Sequence, residues 1–464
     1  MSESINMIKS AIKENYVLRD FFCPELGQLY AGKTGRVHKF GDTIALGRID
    51  SVSSFDIVSE QYIPFKGVCL NKQAVAGHEL DAKNAEVPSA YEKSPDSNIM
   101  IQKAAKNTGI EWIVRGYFTG SLWKNYNNKK MREFPWFKLP EGLKQFQKFD
   151  EYMFTPTTKA VTGHDLDISL EEIVKRKLCT QEQLELMKDY CFRLFEEGSK
   201  RAEAAGYILV DTKYEFGFLP DGTIVVIDEI NTLDSSRFWD KTDYEAKITA
   251  GKSPEEWSKE FARAAFVEGG YKEGDTRLPL LSEEQIMKIS SIYVDMTQRL
   301  TGEKITYNPN YMDINRRILN NLRKENLIKS GKGLVVLLAA SDKDAEHYSK
   351  ISKKLQELDI PVIMPTPTSA HKHTKEVLDT VEYYNRSTEP LVYIAVAGRS
   401  NGLGPVVAGN TKFPVISCPP FSDNATMQMD IWSSLRMPGE LPMSVIIDPA
   451  NAALEAKRIL DLAR

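Results

Sequence analysis

Glu215 and Asp228 fall on the two arms of a hairpin pattern in the stretch Gly206–Trp239, GYILVDTKYEFGFLPDGTIVVIDEINTLDSSRFW. Ile208–Leu219 is β-rich, Pro220-Asp221-Gly222 is a turn signal, and Thr223–Ile230 is a second apolar arm. A loop of two or four residues would set Glu215 directly opposite Asp228. Their Cβ atoms would then lie about 4.5–5.5 Å apart, where like charges repel. A cation between them removes that cost, and hard carboxylate oxygens suit magnesium held together with substrate phosphates. Lys213 and Asp211 share the Glu215 face because strand side chains alternate. A three-residue loop would shift the register and break the pairing. These residues alone read either as a metal clamp or as a solvated acidic face.

Other polar loops add cations. Gly32-Lys33-Thr34-Gly35-Arg36 joins two glycines to two cations between β-rich segments. Glycines let backbone amides approach a phosphate and Lys33 adds a point charge, although an ordinary turn also explains the pattern. Arg115-Gly116-Tyr117-Phe118-Thr119-Gly120-Ser121 offers a guanidinium, a hydroxyl and glycine-opened amides, which suits a phosphate monoester or a structural turn. Thr155-Pro156-Thr157-Thr158-Lys159, then Gly163-His164-Asp165, is a dense polar loop, and Asp234-Ser235-Ser236-Arg237 follows the hairpin. Several cationic clusters and one carboxylate pair suit two phosphate-bearing substrates plus magnesium, hence an ATP-dependent reaction.

The elements that must position these groups change character along the chain. Up to about residue 320, β-rich segments mix with helices such as Gln181–Ala205 and Ser282–Thr301. Tyr307–Gly333 is charged and reads as a helix followed by a short linker. Beyond it strand and helix alternate: Leu334–Ala340, Asp344–Leu358, Pro361–Pro365, Thr374–Asn385, Leu391–Ala397 and Phe413–Ser417. Continuous apolar strands alternating with helices predict a doubly wound α/β domain, whose ligands bind beyond the carboxyl ends of the strands. The loops expected there are Ser341–Asp344, Thr368–Lys372 and Gly398–Gly404, all polar or glycine-rich.

The 464 residues suffice for two or three domains, and the net charge of −4 gives no support for nucleic-acid binding. Five scattered cysteines form no CxxC pair, which fits a reducing cytosol rather than a zinc or disulfide framework. No apolar run reaches transmembrane length and no signal-peptide core is present, so a cytoplasmic protein without membrane partners is expected.

In order along the chain, Arg115–Ser121, Phe154–Ala160, Asp211-Thr212-Lys213-Tyr214-Glu215-Phe216-Gly217 and Asp228-Glu229 with Asp234–Trp239 resemble SAICAR synthetase of purine biosynthesis. The resemblance implies an α+β two-lobed fold with an ATP cleft over residues 1–320, joined by a linker at 321–332 to the α/β doubly wound parallel-sheet (flavodoxin-like) domain at 333–464. It implies amide formation between carboxyaminoimidazole ribonucleotide and L-aspartate, driven by ATP. By motif, Gly32, Lys33 and Arg36 would hold ATP, with Lys213 at the reacting nucleotide, and Glu215 and Asp228 would hold magnesium. Arg115, Ser121 and Arg237 would grip the ribonucleotide phosphate. Lys159, Asp165 and Asp234 would face its imidazole carboxylate or the incoming aspartate. The chain departs from the family pattern at Ser51, at the residue added before Arg36, and at Asn231-Thr232-Leu233.

Ser369-Ala370-His371-Lys372, Ala395–Pro405, Pro414–Pro420 and Trp432–Pro438 resemble aminoimidazole ribonucleotide carboxylase of the animal type. That resemblance implies direct addition of carbon dioxide without ATP, with His371 shuttling a proton at the ring carbon. Ser341, Asp344 and Ser369 would bind the ribonucleotide, with Asp344 also taking part in the chemistry. Gly398, Arg399, Ser400 and Asn401 would cradle carbon dioxide and the ring. A homo-oligomer, an octamer through the C-terminal domain, is implied as well. Lys343 replaces a serine of the family loop, and the alternative expectation is an active synthetase with the second domain serving as an oligomerisation scaffold.

Overall fold

The computed structural model describes residues 2–159, 166–257, 259–308, 314–328, 333–387, 389–421 and 423–463. They form two compact units. One takes the chain through Phe21 and from Tyr30 to Ile314; the other takes Phe22–Leu29 and the chain from Asn315 onward.

Among the described residues the first unit has two large sheets and a two-stranded one, Ser51–Ser54 with Ile57–Tyr62. In one sheet Gly35–Phe40, Thr43–Arg48, Ile99–Lys103 and Tyr91–Asp96 lie side by side in that order. In the eight-stranded sheet, the long strand Tyr207–Phe218 lies between Ile110–Tyr117 and Ser236–Asp240. The helix Gln181–Ala204 covers the back of that sheet. Its Leu184, Met187, Cys191, Leu194 and Phe195 are buried, and its start is fixed by a capping box between Thr180 and Gln183. A second capping box, Ser282 with Gln285, starts the helix Glu283–Thr301, and Gly302 ends it at φ 73°. Both helices fall within a residue of their sequence-derived limits.

The hairpin register differs from the one that would face Glu215 with Asp228. Phe218 pairs with Ile224 and Glu215 with Ile227. Five residues separate the closing pair, and an odd loop moves every partner by one position. Asp228 leaves the ladder altogether in a left-handed conformation, φ 62°.

The second unit carries a five-stranded, all-parallel sheet in the order Val362–Ile363, Leu334–Ala339, Leu391–Val396, Val415–Ser417, Ser444–Val445. Numbered along the chain this is 2-1-3-4-5, the flavodoxin-like winding. Successive residues of its strands feed two opposite cores. Val336, Leu338, Tyr393 and Ala395 pack with Val377 and Val381, while Val335, Leu337, Val392 and Ile394 pack with Ile351, Leu355, Ala453 and Ala456. The Phe22–Leu29 segment is part of this unit. Phe22 is buried in the first of those cores, edge-on to Tyr383 at 4.9 Å. The boundary expected at residue 320 falls inside the helix Ile314–Lys324, whose Arg323 Nη2 is 2.7 Å from Glu389 Oε2. Among the described residues the sequence pattern did not mark four further helices here, Leu403–Gly409, Asn424–Asp430, Trp432–Leu435 and Pro449–Leu462. Among the described residues no helix is long and apolar enough to cross a membrane.

Candidate active site

The front of the long strand Tyr207–Phe218 presents Asp211, Lys213 and Glu215 in a row, as strand alternation requires. Asp211 is paired with Arg115 on one side and Arg237 on the other. Its Oδ2 accepts from Arg237 Nη1 at 2.6 Å and from Arg115 Nη1 at 3.3 Å. Arg115 Nη2 lies 3.5 Å from Ser121 Oγ, and its Nε donates to Thr155 Oγ1 at 3.0 Å. Gly120, at φ 62°, leaves the space beside them open; a Cβ there would meet Arg237 Nη1 at 2.6 Å. Arg115, Ser121 and Arg237, distant in sequence, thus converge, with one carboxylate setting both guanidinium planes.

Glu215 is buried and saturated with donors. Lys159 Nζ reaches both of its oxygens at 2.7 and 2.6 Å, Lys213 Nζ reaches Oε1 at 2.9 Å, and Asn107 Nδ2 reaches Oε2 at 2.8 Å. Burial alone would raise its carboxyl, but the ammonium groups of Lys213 and Lys159 outweigh that and hold it well below the usual carboxylate range. Lys213 also pairs with Glu111 at 3.0 Å, and Glu215, Glu111 and Asp228 together overcome burial to keep it charged.

Asp228 has a different partner. Arg48 Nη2 donates to its Oδ1 at 2.5 Å. Gln102 clamps its backbone at both N–H and C=O, each 3.1 Å, and His78 Nε2 lies 3.0 Å from the same carbonyl oxygen. Glu215 and Asp228 therefore do not form a directly opposed pair. They stay electrostatically joined through Lys213, which feels both charges. Arg48 also faces the glycine turn, because Gly35 pairs with it across the sheet. In that turn Gly32 N–H donates to Gly35 C=O at 2.9 Å, and Lys33 Nζ lies outward, 2.6 Å from Asp56 Oδ1. The Arg36 guanidinium folds back onto Asp20 at 2.5 Å and onto the carbonyls of Gly32 and Gly35, so it shapes the turn rather than extending from it.

Asp234 is bound by Lys66 Nζ at 2.7 Å and Tyr293 Oη at 2.6 Å. Burial opposes its ionisation, but Lys66 and Lys259 bring its carboxyl down to about 2. Asp165 lies outside the described residues.

In the second unit the Ser341 and Gly398 loops follow neighbouring parallel strands, at the point where the winding reverses. Ser341 Oγ accepts from Lys343 N–H at 3.2 Å, and burial raises the Asp344 carboxyl. The loop carrying Ser369 and His371 returns over the same strand ends, with Thr368 N–H donating to Ala339 C=O at 2.8 Å. His371 lies on Gly402, where a Cβ would come 2.6 Å from its Cε1. Arg399 and Ser400 are exposed on the adjoining loop, with Arg399 at φ 51°. Asn401 turns inward instead. It is buried, and its side chain is occupied by Ser417 Oγ at 2.6 Å, Ser434 Oγ at 2.9 Å and Gly404 N–H at 3.0 Å. Its amide holds the loop in place.

Arg48, Lys66, Asn107, Glu111, Lys259 and Tyr293 went unnoticed in the sequence. Lys66 meets its partner across 168 residues, and no local spacing marks it. Asp211 was visible as a face-mate of Lys213, but the two arginines flanking it were not visible as its neighbours. Among the described residues no group of three or more histidine, cysteine or acidic side chains converges as a metal site.

The SAICAR synthetase family profile matches residues 28–278, more than half the chain, and the AIR carboxylase profile matches residues 334–464. A phosphoribosylaminoimidazole-succinocarboxamide synthase from Bacteroides fragilis is 39% identical over 289 residues, covering 61% of this chain and 90% of the relative. One from Legionella pneumophila is 39% identical over 303 residues, covering 64% and 95%. Among solved structures, SAICAR synthase from Saccharomyces cerevisiae complexed with SAICAR aligns with a TM-score of 0.55 at 25% identity, over 62% of this chain and all of that one. The chain therefore belongs to the SAICAR synthetase family, with an AIR carboxylase domain following in the same polypeptide and both activities serving purine biosynthesis.

Proposed function

We propose that the front of the long strand Tyr207–Phe218 and the Gly32 turn together bind a ribonucleotide and ATP, and that the first unit couples ATP cleavage to amide formation with L-aspartate. The observation that carries this reading is the row Arg115–Asp211–Arg237, two oriented guanidinium groups with Ser121 beside them, which suits a phosphate monoester. Gly32 and Lys33 hold the ATP phosphates, and Arg36 keeps their turn in shape. A carboxylate is a poor acyl donor, so one of its oxygens first attacks the terminal phosphoryl of ATP and ADP departs. The amine of aspartate then attacks the acyl carbon, the bond to the phosphate oxygen breaks, and phosphate leaves with the amine proton passing to solvent.

Glu215 and Asp228 suit magnesium chemically: both are hard oxygen donors, and Glu215 is held ionised beside cations. When bound there, magnesium neutralises charge on the transferring phosphoryl. Lys213, hydrogen-bonded to Glu215, stabilises the same charge. Lys159, Asp165 and Asp234 serve the imidazole carboxylate and the aspartate, and Lys66 and Lys259 supply positive charge next to Asp234.

In the second unit His371 moves the proton of the ring carbon as carbon dioxide adds. Ser341, Asp344 and Ser369 hold the ribonucleotide, and Gly398, Arg399 and Ser400 form the wall that Asn401 braces. Met429, Trp432 and Leu435 are exposed apolar residues of that unit, which supports assembly of several copies through it. Five buried cysteines, none of them in a disulfide, support residence in the reducing cytoplasm.

The test supplies aminoimidazole ribonucleotide and bicarbonate with and without ATP, magnesium and aspartate. Carboxylation without ATP, then aspartate incorporation only with magnesium and ATP, is the expected result. No consumption of the carboxylated ribonucleotide with aspartate and ATP would overturn the synthetase reading.

A further inference from the structure

Behind the sheet, opposite Asp211, Lys213 and Glu215, a buried polar relay connects the two segments that carry the candidate magnesium ligands. Tyr214 lies between Lys213 and Glu215 in sequence, so its side chain points to the back. Its hydroxyl donates to Asn231 Oδ1 at 2.8 Å. Asn231 Nδ2 donates to Asp81 Oδ2 at 2.8 Å, and Asp81 also accepts Arg201 Nε and Nη2 at 2.7 Å each. Tyr214, Asn231 and Asp81 are all at most 1% exposed. The amide has one workable orientation, because turned over it would set its oxygen against the Asp81 carboxylate. The helix Gln181–Ala204 leaves room for it at Gly198, where a Cβ would come 2.1 Å from Asn231 Nδ2.

The backbone explains why a side chain is needed there. The ladder ends at Ile227, so Asp228–Ser235 has no strand partner to fix it. Gln102 and His78 hold the Asp228 end, and Lys213 N–H holds the other end through Ser235 C=O at 3.1 Å. Asn231 sits between them at φ 52°, a left-handed conformation that asparagine adopts more readily than branched apolar residues. It is one of the positions at which the chain departs from its family pattern.

We propose that Asn231 is a positioning residue of the synthetase reaction. Through Tyr214 and Asp81 it fixes the loop bearing Asp228, Glu229 and Asp234 against the strand bearing Lys213 and Glu215, and so sets the spacing of the two carboxylates that receive the metal nucleotide. The inference rests on the assignment of Glu215 and Asp228 to magnesium.

The full chain is tested with Mn2+ and ADP as the probe, reading bound Mn2+ by electron paramagnetic resonance. The variants are Asn231→Leu, Tyr214→Phe and, as reference, Asp228→Asn. Asn231→Leu is expected to weaken Mn2+ binding by about 10–100-fold, as loss of an outer partner of a metal ligand does, and Tyr214→Phe by about threefold. KM for the ribonucleotide should stay within about twofold, because a positioning effect on the metal loop is not a general loosening. Carboxylase turnover in the same samples should be unchanged. Tyr214→Phe removes only the hydroxyl that meets Asn231 and decides the question if Asn231→Leu does not fold. Normal Mn2+ binding in the folded variants beside a clear loss in Asp228→Asn would overturn the inference, as would a parallel rise in ribonucleotide KM. Normal binding in Asp228→Asn would instead overturn the metal assignment, and this inference with it.

Discussion

Arg48 Nη2 lies 2.5 Å from Asp228 Oδ1, joining the end of a strand in one sheet to a left-handed residue 180 positions away. The guanidinium is almost wholly buried, and Asp228 is followed by Glu229, also within 3.9 Å of it. Arg48 thus holds the acidic loop together from the side of the glycine turn. Replacing it with methionine leaves two carboxylates without their cation. Arg48→Met is expected to cost about 3 kcal/mol in chemical unfolding of the synthetase unit. Arg48→Lys should restore part of that stability but less of the turnover, because an ammonium lacks the planar fork.

The Arg115–Asp211–Arg237 row predicts a binding defect. Arg115→Lys and Arg237→Lys should each raise KM for the ribonucleotide roughly 10–100-fold, the worth of one or two charge-assisted hydrogen bonds. KM for ATP should barely move. Steady-state kinetics with each substrate varied separately checks this, and an equal rise in both would refute separate subsites.

Glu215→Gln keeps the shape but removes the charge that Lys159 and Lys213 share. Amide synthesis is expected to fall at least about a thousandfold, since both the metal ligand and the arrangement of two lysines are lost. Carboxylation should continue at the normal rate. Product analysis of one reaction mixture distinguishes the two steps, and equal loss of both would count against separate sites.

Asp234 predicts an acid limit. Its carboxyl is lowered from 3.8 to about 2 beside Lys66. A depressed folded-state value means that the contribution is complete above the unfolded value and disappears as pH falls from about 4 toward 2. Its size is about 2 kcal/mol. Unfolding free energy measured across that range should fall more steeply for the native chain than for a Lys66→Met, Asp234→Asn double variant. Identical slopes would show that the pair does not contribute.

Gly402→Ala tests the second unit. The added methyl would sit 2.6 Å from His371 Cε1 and push the ring off its loop. Carboxylation should drop about 100-fold, the usual worth of a placed acid–base group, with amide synthesis from supplied carboxylated ribonucleotide retained. Unchanged carboxylation would remove His371 from the proton-transfer step.

Much of this architecture is local in origin and therefore readable in the chain. The capping residues Thr180 and Ser282 mark their helices, and the continuous apolar strands Leu334–Ala339 and Leu391–Val396 announce a parallel sheet covered on both faces. The spacing of Asp211, Lys213 and Glu215 alone puts them on one strand face. The sequence also carries the family motifs, because those depend on residue type and order.

Other features depend on where distant segments meet. The hairpin register turned on one residue of loop length, which no composition reveals, and with it went the direct pairing of Glu215 and Asp228. Asn401 has the chemistry of a ligand-binding residue, yet the fold surrounds it with Ser417 and Ser434 and makes it a brace. Sequence by itself determined the two families, the alternation of strand and helix in the second of them, and the strand face shared by Asp211, Lys213 and Glu215. Only the tertiary structure decided that Arg48 would answer Asp228, that Lys66 would answer Asp234, and that Asn231 would tie the acidic loop to the sheet. A strand or helix is written in neighbouring residues, but a buried charge takes its partner from whichever segment the packing of the core brings within hydrogen-bond reach.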